Sequence, residues 1–530
     1  MGLVDAGDMH NGVQLIAYAD RFGGSLAGLR EVLDGPLAGL FAGVHILPFF
    51  TPFDGADAGF DPVDHTEVDS RLGSWDDVRA LAQEYVLMVD LIVNHVSADS
   101  AEFRDVLARG DASPHAQMFL TMDDVYPGGA DEAELVRIYR PRPGLPFTSL
   151  TLGQRRRLVW TTFTSQQVDL NLTNPAGRAY LDRVLTTLAE GGVSMVRLDA
   201  VGYAIKTAGT SSFMTAHTLA FIAELTARAR ELGVQVLVEI HAHFERQIAI
   251  GAAVDRVYDF ALPPLLLHSL YTGDAAPLRR WLDVRPANAV TVLDTHDGIG
   301  VIDVGPDQMG EGRPGLLTPE QVHALVEGIH VHSGGQSRQA TGWAASNVDV
   351  YQVNCTYYDA LGRDDESFLL ARAIQFFTPG IPQVYYVGLL AGGNDMDLLA
   401  RSGIGRDINR HHYTRAEIDR DLARPVVVAL LGLIRHRNTH PAFAGVCTVG
   451  GQGDQITLTW THGEHTTSLD ASLGSRRARL TWTGADGQLQ TCDNLLDLRS
   501  RRGRDDDDVV GVVPRAVVEV AATGDEHEPG

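Results

Sequence analysis

Val193-Ser-Met-Val-Arg-Leu-Asp-Ala-Val201 is an apolar run whose only charges, Arg197 and Asp199, stand two residues apart near its end. Residues i and i+2 of a strand share a face, so this pair would lie side by side where the strand stops. Continuous apolar character is what a parallel strand covered on both faces shows. The same texture recurs outward from this stretch. Val13–Asp20, Gly43–Phe50 and Leu87–His95 precede it; Val234–His241, Arg256–Leu262, Ala289–Asp297 and Ile381–Val387 follow. Helical patterns such as Gly177–Glu190 and Thr215–Leu232 lie between. Eight alternating units predict an α/β fold, a (β/α)8 TIM barrel.

Uneven spacing predicts where the barrel is interrupted. Residues 1–92, 174–298 and 363–437 are assigned to the barrel, and 93–173 to an insertion after the third strand. Residues 299–362, rich in Gly, Ser and Gln, form a second insertion after the seventh, a lid or wall over the site. Both are longer than ordinary connections and belong on the catalytic face. After Arg437 the pattern alternates, as in Gln455–Thr461, Arg479–Thr483 and Val509–Val520, so residues 438–530 are expected to be an antiparallel β domain. Its tail beyond Thr523 should fray, and the acidic run Asp505–Asp508 reads as a solvated loop.

The bulk numbers exclude some functions. A net charge of −25 argues against nucleic acid and against an anionic membrane surface. A phosphate ligand survives this, because charges beyond a Debye length of about 8 Å are largely screened. Cys355, Cys447 and Cys492 lie far apart, which excludes a disulfide framework and a thiolate zinc site and points to a reducing compartment. Residues 1–12 carry Asp5 and Asp8 and no apolar h-region, and no uncharged apolar stretch reaches 18 residues. A cytoplasmic protein is expected. Lys206 is the only lysine, so Schiff-base chemistry would have to use it.

In such a barrel the polar residues at the C-terminal ends of the strands face the substrate. Those ends supply Asp20 and Arg21, then Asp90, Asn94 and His95, Arg197 and Asp199, Glu239 and His241, and His296 and Asp297. Any one acidic residue there is more often a cap or a loop ion pair than a catalyst. Three carboxylates (Asp199, Glu239, Asp297) with flanking Arg and His on successive strands are harder to dismiss. Paired carboxylates are what glycosyl transfer requires, one ionised to attack the anomeric carbon and one protonated to release the leaving oxygen. Arg197 is expected to keep Asp199 ionised, while repulsion and burial raise the pKa of Glu239.

At these residues the chain resembles the α-amylase superfamily, glycoside hydrolase family 13. Its four marker regions are matched by Asp90-Leu-Ile-Val-Asn94-His95, Val196-Arg-Leu-Asp-Ala200, Glu239 and Leu293-Asp-Thr-His296-Asp297. Longer motifs are similar to the sucrose phosphorylases within it. These are the stretch His45–Asp61, Ile138-Tyr-Arg-Pro-Arg142-Pro-Gly-Leu-Pro-Phe147, Arg197–Tyr203, Asp349-Val-Tyr351-Gln352 and Gly405-Arg406-Asp-Ile-Asn-Arg410. The resemblance runs from about Val13 to about Arg437 and is weaker at the N-terminus, over His332–Gln339 and in the C-terminal domain.

The resemblance implies roles. Asp199 matches the nucleophile, Glu239 the general acid/base and Asp297 the transition-state stabiliser. Asp57, His95, Arg197, His296 and Arg406 match residues that hold the glucosyl unit, Phe60 and Phe163 its aromatic wall, and Gln167 joins the substrate-binding set. Arg142, His241, Asp349, Tyr351 and Gln352 match the acceptor site where fructose and phosphate alternate, with Arg142 and Tyr351 as the phosphate ligands. A guanidinium can grip two phosphate oxygens at once, which suits Arg142. The implied small molecules are sucrose, inorganic phosphate, α-D-glucose 1-phosphate and fructose, and a homodimer is implied in the same way. No cofactor is expected. No metal is expected either: Asn94 sits where many amylases ligate calcium, but no matching cluster of oxygen ligands accompanies it. Sister phosphorylases acting on glucosylglycerol, glucosylglycerate or sucrose 6′-phosphate would share the glucosyl site and differ in the acceptor loops. A retaining hydrolase would use the same carboxylates without phosphate. A catalytically silent barrel would lack them.

Overall fold

The computed structural model describes residues 11–55, 57–140, 144–307, 312–341, 352–501 and 509–512. Eight strands, each paired in parallel with the next in sequence, close into a barrel: β1 (Gln14–Ala17), β2 (Gly43–Ile46), β3 (Val86–Ile92), β4 (Met195–Asp199), β5 (Gln235–Val238), β6 (Arg256–Asp259), β7 (Ala289–Thr291) and β8 (Ile381–Tyr385). The predicted (β/α)8 fold is therefore the observed one. Every one of the eight apolar runs supplies a strand, but most strands stop short of the run's last residues. His95, Glu239, His241, His296 and Asp297 stand just beyond the strand ends, at the mouth.

Inside the barrel several polar groups pair with one another. Gln383 donates to Gln14 at 2.9 Å and accepts from the Tyr258 hydroxyl at 3.1 Å. The outer helices bury one stripe each. Pro175–Glu190 starts at an Asn174 cap that accepts from the Ala176 amide, with Pro175 in the first turn where no donor is needed. It buries Gly177, Tyr180, Leu181, Val184, Leu185 and Leu188. Gly177 is required by closeness alone, since a Cβ there would lie 2.3 Å from the Asn171 carbonyl.

Two antiparallel necks tie the interruptions back to the barrel mouth. Between β3 and β4 the chain leaves along His95–Ser97 and returns along Gln167–Asp169, with His95 opposite Asp169 and Ser97 opposite Gln167. The segment between them carries a hairpin, Phe147–Leu152 with Arg155–Trp160, and a small core of Leu120, Tyr126, Ile138 and Trp160. After β7 the chain leaves along Ile299–Gly300 and returns along Gln352–Val353. The helix Pro319–His332, opened by a Thr318/Gln321 capping box, lies between.

The C-terminal region holds the predicted antiparallel sheet as a five-stranded meander, β9 (Val446–Gly450), β10 (Gln455–His462), β11 (His465–Ser472), β12 (Arg477–Thr483) and β13 (Leu489–Cys492). Ile456, Leu458, Trp460, Leu469, Leu480 and Trp482 alternate inward toward the barrel helices, and the Trp460 indole donates to the Phe377 carbonyl at 2.7 Å. Of the last expected strand, Val509–Val520, the described residues Val509–Val512 pair with Leu498–Arg501 outside this sheet, and the rest lies outside the described residues. The acidic run Asp505–Asp508 and the tail lie outside the described residues. Among the described residues, no helix is long and apolar enough to cross a membrane.

The first neck is pinned by the chain's single lysine. Lys206 Nζ lies 2.5 Å from the Asp169 carboxylate and donates to Asn94 Oδ1 at 2.6 Å and the Tyr203 carbonyl at 2.5 Å, with both ion-pair partners buried. Replacing one member of a buried pair strands the other, at a cost of about 3–5 kcal/mol. Lys206→Met should therefore lower the midpoint of thermal unfolding by several degrees. A variant that melts with the parent would show that the pair does not hold the neck.

Candidate active site

The register of β3 and β4 sets Arg197 directly beside Asp90. Both side chains point into the barrel, and Arg197 Nη1 binds Asp90 Oδ1 at 2.5 Å. The same guanidinium reaches Asp199 Oδ1 at 3.0 Å through Nη1 and Glu239 Oε1 at 3.2 Å through Nη2. One cation thus ties together three carboxylates brought by successive strands. Asp90 is further held by His45 Nε2 at 3.0 Å. Although burial opposes it, His45 and Arg197 bring Asp90 down to about 2.

Asp199 goes the other way. Burial is the largest cause, and the carboxylates of Glu239, Asp90 and Asp297 add to it; together they outweigh Arg197 and push Asp199 well above the ordinary carboxylate range. This reverses the expectation that Arg197 would hold Asp199 ionised. The physical reason is that Arg197 is divided among three anions.

Around these carboxylates lies a pocket that opens to solvent. Asp57, Phe60, His95, Phe163, Gln167, His296, Gln352 and Arg406 line it together with Asp199, Glu239 and Asp297, as do Ala200 and Tyr203. Arg197 lies buried against the carboxylates, and His241 is buried alongside, its Nε2 3.9 Å from Glu239 Oε1 and 3.3 Å from Gln352 Nε2. Phe60 stacks on His296 with centroids 4.7 Å apart, while Phe163 meets His95 and Tyr203 edge-on. His95 Nε2 is 2.9 Å from the Phe60 carbonyl, so the first neck and the loop after β2 fix each other. Arg142, Asp349 and Tyr351 lie outside the described residues.

Asp297 is the opposite of Asp199. Against the effect of burial, Arg406 at 3.0 Å, then His296, Arg197 and Arg410, hold it well below the usual carboxylate range. Arg406 also faces Asp57 at 3.8 Å. His296 is brought down to about 3, mainly by burial, so the ring is neutral at working pH. Burial likewise lowers His95. The wall therefore offers neutral imidazoles and an ionised Asp297, a combination that hydrogen-bonds sugar hydroxyls without placing extra positive charge beside the carboxylates.

Glu239, His241 and Asp297 each bring one potential ligand atom within 4.8 Å of the others. Arg197 and Arg406 already stand against the two carboxylates, and His241 turns Nδ1 to Asp303 at 2.9 Å. These donors suit proton transfer and hydroxyl binding better than a metal. Asn94 Oδ1 is engaged by Lys206 Nζ.

Some contributors carried little signal. Asp90 was visible as a charge inside an apolar strand, which demands a buried cation, yet no role followed from its position alone. Ala200 has φ +54, a strained backbone for a residue with a side chain, exactly one residue past Asp199. Asp303 and Lys206 sit in loops where no periodicity marks them, and Asp169 ends the short returning strand of the first neck. Asp20 and Arg21, named from a strand end, pair with each other at 3.4 Å and do not line the pocket.

Comparison with known proteins now places this geometry. The alpha-amylase catalytic-domain model matches residues 8–223. A sucrose phosphorylase of Agrobacterium vitis is 58% identical over 480 residues, 90% of this chain and 98% of its own. That of Bifidobacterium adolescentis is 55% identical over 85% of this chain and 90% of its own. This chain belongs to the sucrose phosphorylase family, within glycoside hydrolase family 13. The crystal structure of sucrose 6F-phosphate phosphorylase from Thermoanaerobacter thermosaccharolyticum superposes with a TM-score of 0.83 at 36% identity, over 93% of this chain and 98% of that one. The family likeness thus spans the barrel, both interruptions and the C-terminal sheet.

The Arg197 bridge has a measurable signature. In Arg197→Leu, the carboxylates that shared its charge titrate higher in the folded than in the unfolded chain. The folded state then binds more protons, so stability falls as pH rises. Loss of the cation should cost about 3 kcal/mol or more at neutral pH and clearly less at about pH 5. Unfolding curves at both values check this; an equal loss at both would mean that Arg197 does not neutralise the carboxylates.

Proposed function

We propose that this chain catalyses the reversible phosphorolysis of sucrose to α-D-glucose 1-phosphate and fructose by double displacement, with side transglucosylation and slow hydrolysis. The observation that supports this most is the set of two carboxylates, Asp199 and Glu239, bridged by one guanidinium at the pocket, in a chain so similar to sucrose phosphorylases. Asp199 attacks the anomeric carbon as its bond to the fructosyl oxygen breaks, and Glu239 gives that oxygen a proton. Phosphate then attacks the same carbon, the Asp199 ester bond breaks, and Glu239 takes up the proton phosphate loses. Two inversions restore the α configuration.

The remaining roles follow. Asp297 grips sugar hydroxyls and stabilises positive charge at the anomeric carbon. Asp57 and Arg406 orient the glucosyl unit with His95, His296, Arg197 and Gln167, while Phe60 and Phe163 present π faces to the cationic centre. Arg142 and Tyr351 bind phosphate, and His241, Asp349 and Gln352 complete the acceptor side. Attack requires Asp199 ionised and the proton on Glu239; Arg197, touching both, offsets charge on whichever is bare. Free thiols at Cys355, Cys447 and Cys492 support a reducing, cytoplasmic setting. Assembly as a homodimer rests on family likeness alone.

Incubation with sucrose and phosphate should release α-D-glucose 1-phosphate and fructose in equal amounts. In Asp199→Asn the rate should fall at least about a thousandfold, roughly 4 kcal/mol of barrier. Free glucose as the main product at saturating phosphate would favour a hydrolase, and a β-phosphate would rule out the covalent route.

Asp199 must be ionised to attack, so kcat/KM for sucrose should fall on the acid side at a pH above the ordinary carboxylate range. Removing one neighbouring negative charge lowers that limb. Asp90→Asn, whatever it does to the maximum, should shift the acid limb to lower pH in a pH–rate profile. A limb that stays put or moves up would mean that a different group is titrating.

A further inference from the structure

Asp303 lies beyond the second neck, is fully buried and does not line the glucosyl pocket. Its carboxylate takes three inward-facing donors: His241 Nδ1 at 2.9 Å, Gln247 Nε2 at 2.8 Å and the Ala242 amide at 3.1 Å. The His241 ring is also clamped from the side, stacked on Phe260 with centroids 3.9 Å apart. With Nδ1 bonded and one face stacked on Phe260, the ring is held in orientation. Its other nitrogen, Nε2, points to the gap between Glu239, at 3.9 Å, and the Gln352 amide, at 3.3 Å.

On the Gln352 side of that gap the facing group is a donor. The Gln352 carbonyl oxygen is engaged by the Gly298 amide at 3.3 Å, so its NH2 group is the end that faces His241. Two nitrogens at 3.3 Å make a poor pair when the imidazole carries its second proton, and an anionic oxygen entering between them would satisfy both. On the phosphorolysis proposed above, phosphate is the anion that enters beside Glu239.

We propose that Asp303 is a positioning residue for the acceptor step: it fixes His241 through Nδ1, aims Nε2 at the incoming phosphate beside Glu239, and supplies the charge that lets Nε2 carry a proton there. Burial works against a charged ring, but Asp303, with Glu239 and Asp297 adding to it, raises His241 above the ordinary imidazole value. Among the described residues, the groups facing the ring include these three carboxylates and the Gln352 amide. A hydroxyl acceptor such as fructose gains less from this arrangement than a phosphate does, since only the latter brings full negative charge to Nε2. Asp303 would thereby bias the glucosyl-enzyme toward phosphate.

The test separates donor from acceptor. Asp303→Asn is assayed with α-glucosyl fluoride as donor, across a phosphate titration and across the neutral pH range. The apparent KM for phosphate should rise about tenfold, the loss of one charge-assisted hydrogen bond. Donor kcat/KM should stay within about twofold. The raised His241 value keeps the ring charged to higher pH, so in Asp303→Asn the loss of phosphate affinity should begin at lower pH than in the parent. In a His241→Gln background, Asp303→Asn should add nothing further. Equal losses on donor and phosphate, an unmoved pH profile, or full additivity with His241→Gln would overturn the proposal. If Asp303→Asn does not fold, Gly300→Ala replaces it: its Cβ would sit 2.6 Å from Asp303 Oδ2 and 3.1 Å from His241 Nδ1, and should reproduce the phosphate defect. A parent enzyme with no phosphate-dependent product would instead refute the phosphorylase proposal, an outcome distinct from each of these.

Discussion

The guanidinium of Arg197 is the interaction on which the site depends. It is buried at the barrel mouth, and it serves Asp90, Asp199 and Glu239 at once. Three anions around one cation leave excess negative charge, and a buried site relieves such an excess by keeping a proton. The excess holds Asp199 well above the ordinary carboxylate range. Retaining glycosyl transfer needs one proton for its two carboxyls, an ionised nucleophile beside a protonated acid, and this charge imbalance favours keeping one. Asp297 stands apart because it has Arg406 and need not share Arg197 alone.

The barrel gives this cluster its geometry, and the necks give it walls. Parallel register places Arg197 beside Asp90 without any loop having to find its place. The first neck carries His95 and Gln167 in opposite strands of one ladder, and Lys206 locks that ladder to the loop after β4. The second neck sets Gln352 beside Gly298 and His241. Residues more than fifty positions apart are thus held by short ladders, which are stiffer than free loops. Such rigidity suits a reaction whose rate depends on pre-placed charges.

Most of the fold could be read from the sequence because strands buried on both faces have few alternatives: the eight apolar runs, from Val13–Asp20 to Ile381–Val387, each became a barrel strand. The three carboxylates were legible for a related reason, since charge at the end of such a run has only the mouth to face. What stayed hidden was who shares which charge. Arg197 was read as a partner of Asp199 alone; its division with Asp90 and Glu239 depends on register across three strands, which no local pattern encodes. Asp303 and Lys206 escaped because they act from loops, through a second residue, where neither periodicity nor strand position marks them.

Trapping the intermediate tests the central claim most directly. Glu239→Gln treated with α-glucosyl fluoride should still lose fluoride, whose departure needs little protonation, but should turn over slowly thereafter. Mass spectrometry of the digested protein should then find one hexosyl increment, on the peptide that carries Asp199. A hexosyl group on another residue, or none despite fluoride release, would contradict a covalent glucosyl-Asp199 held beneath Arg197.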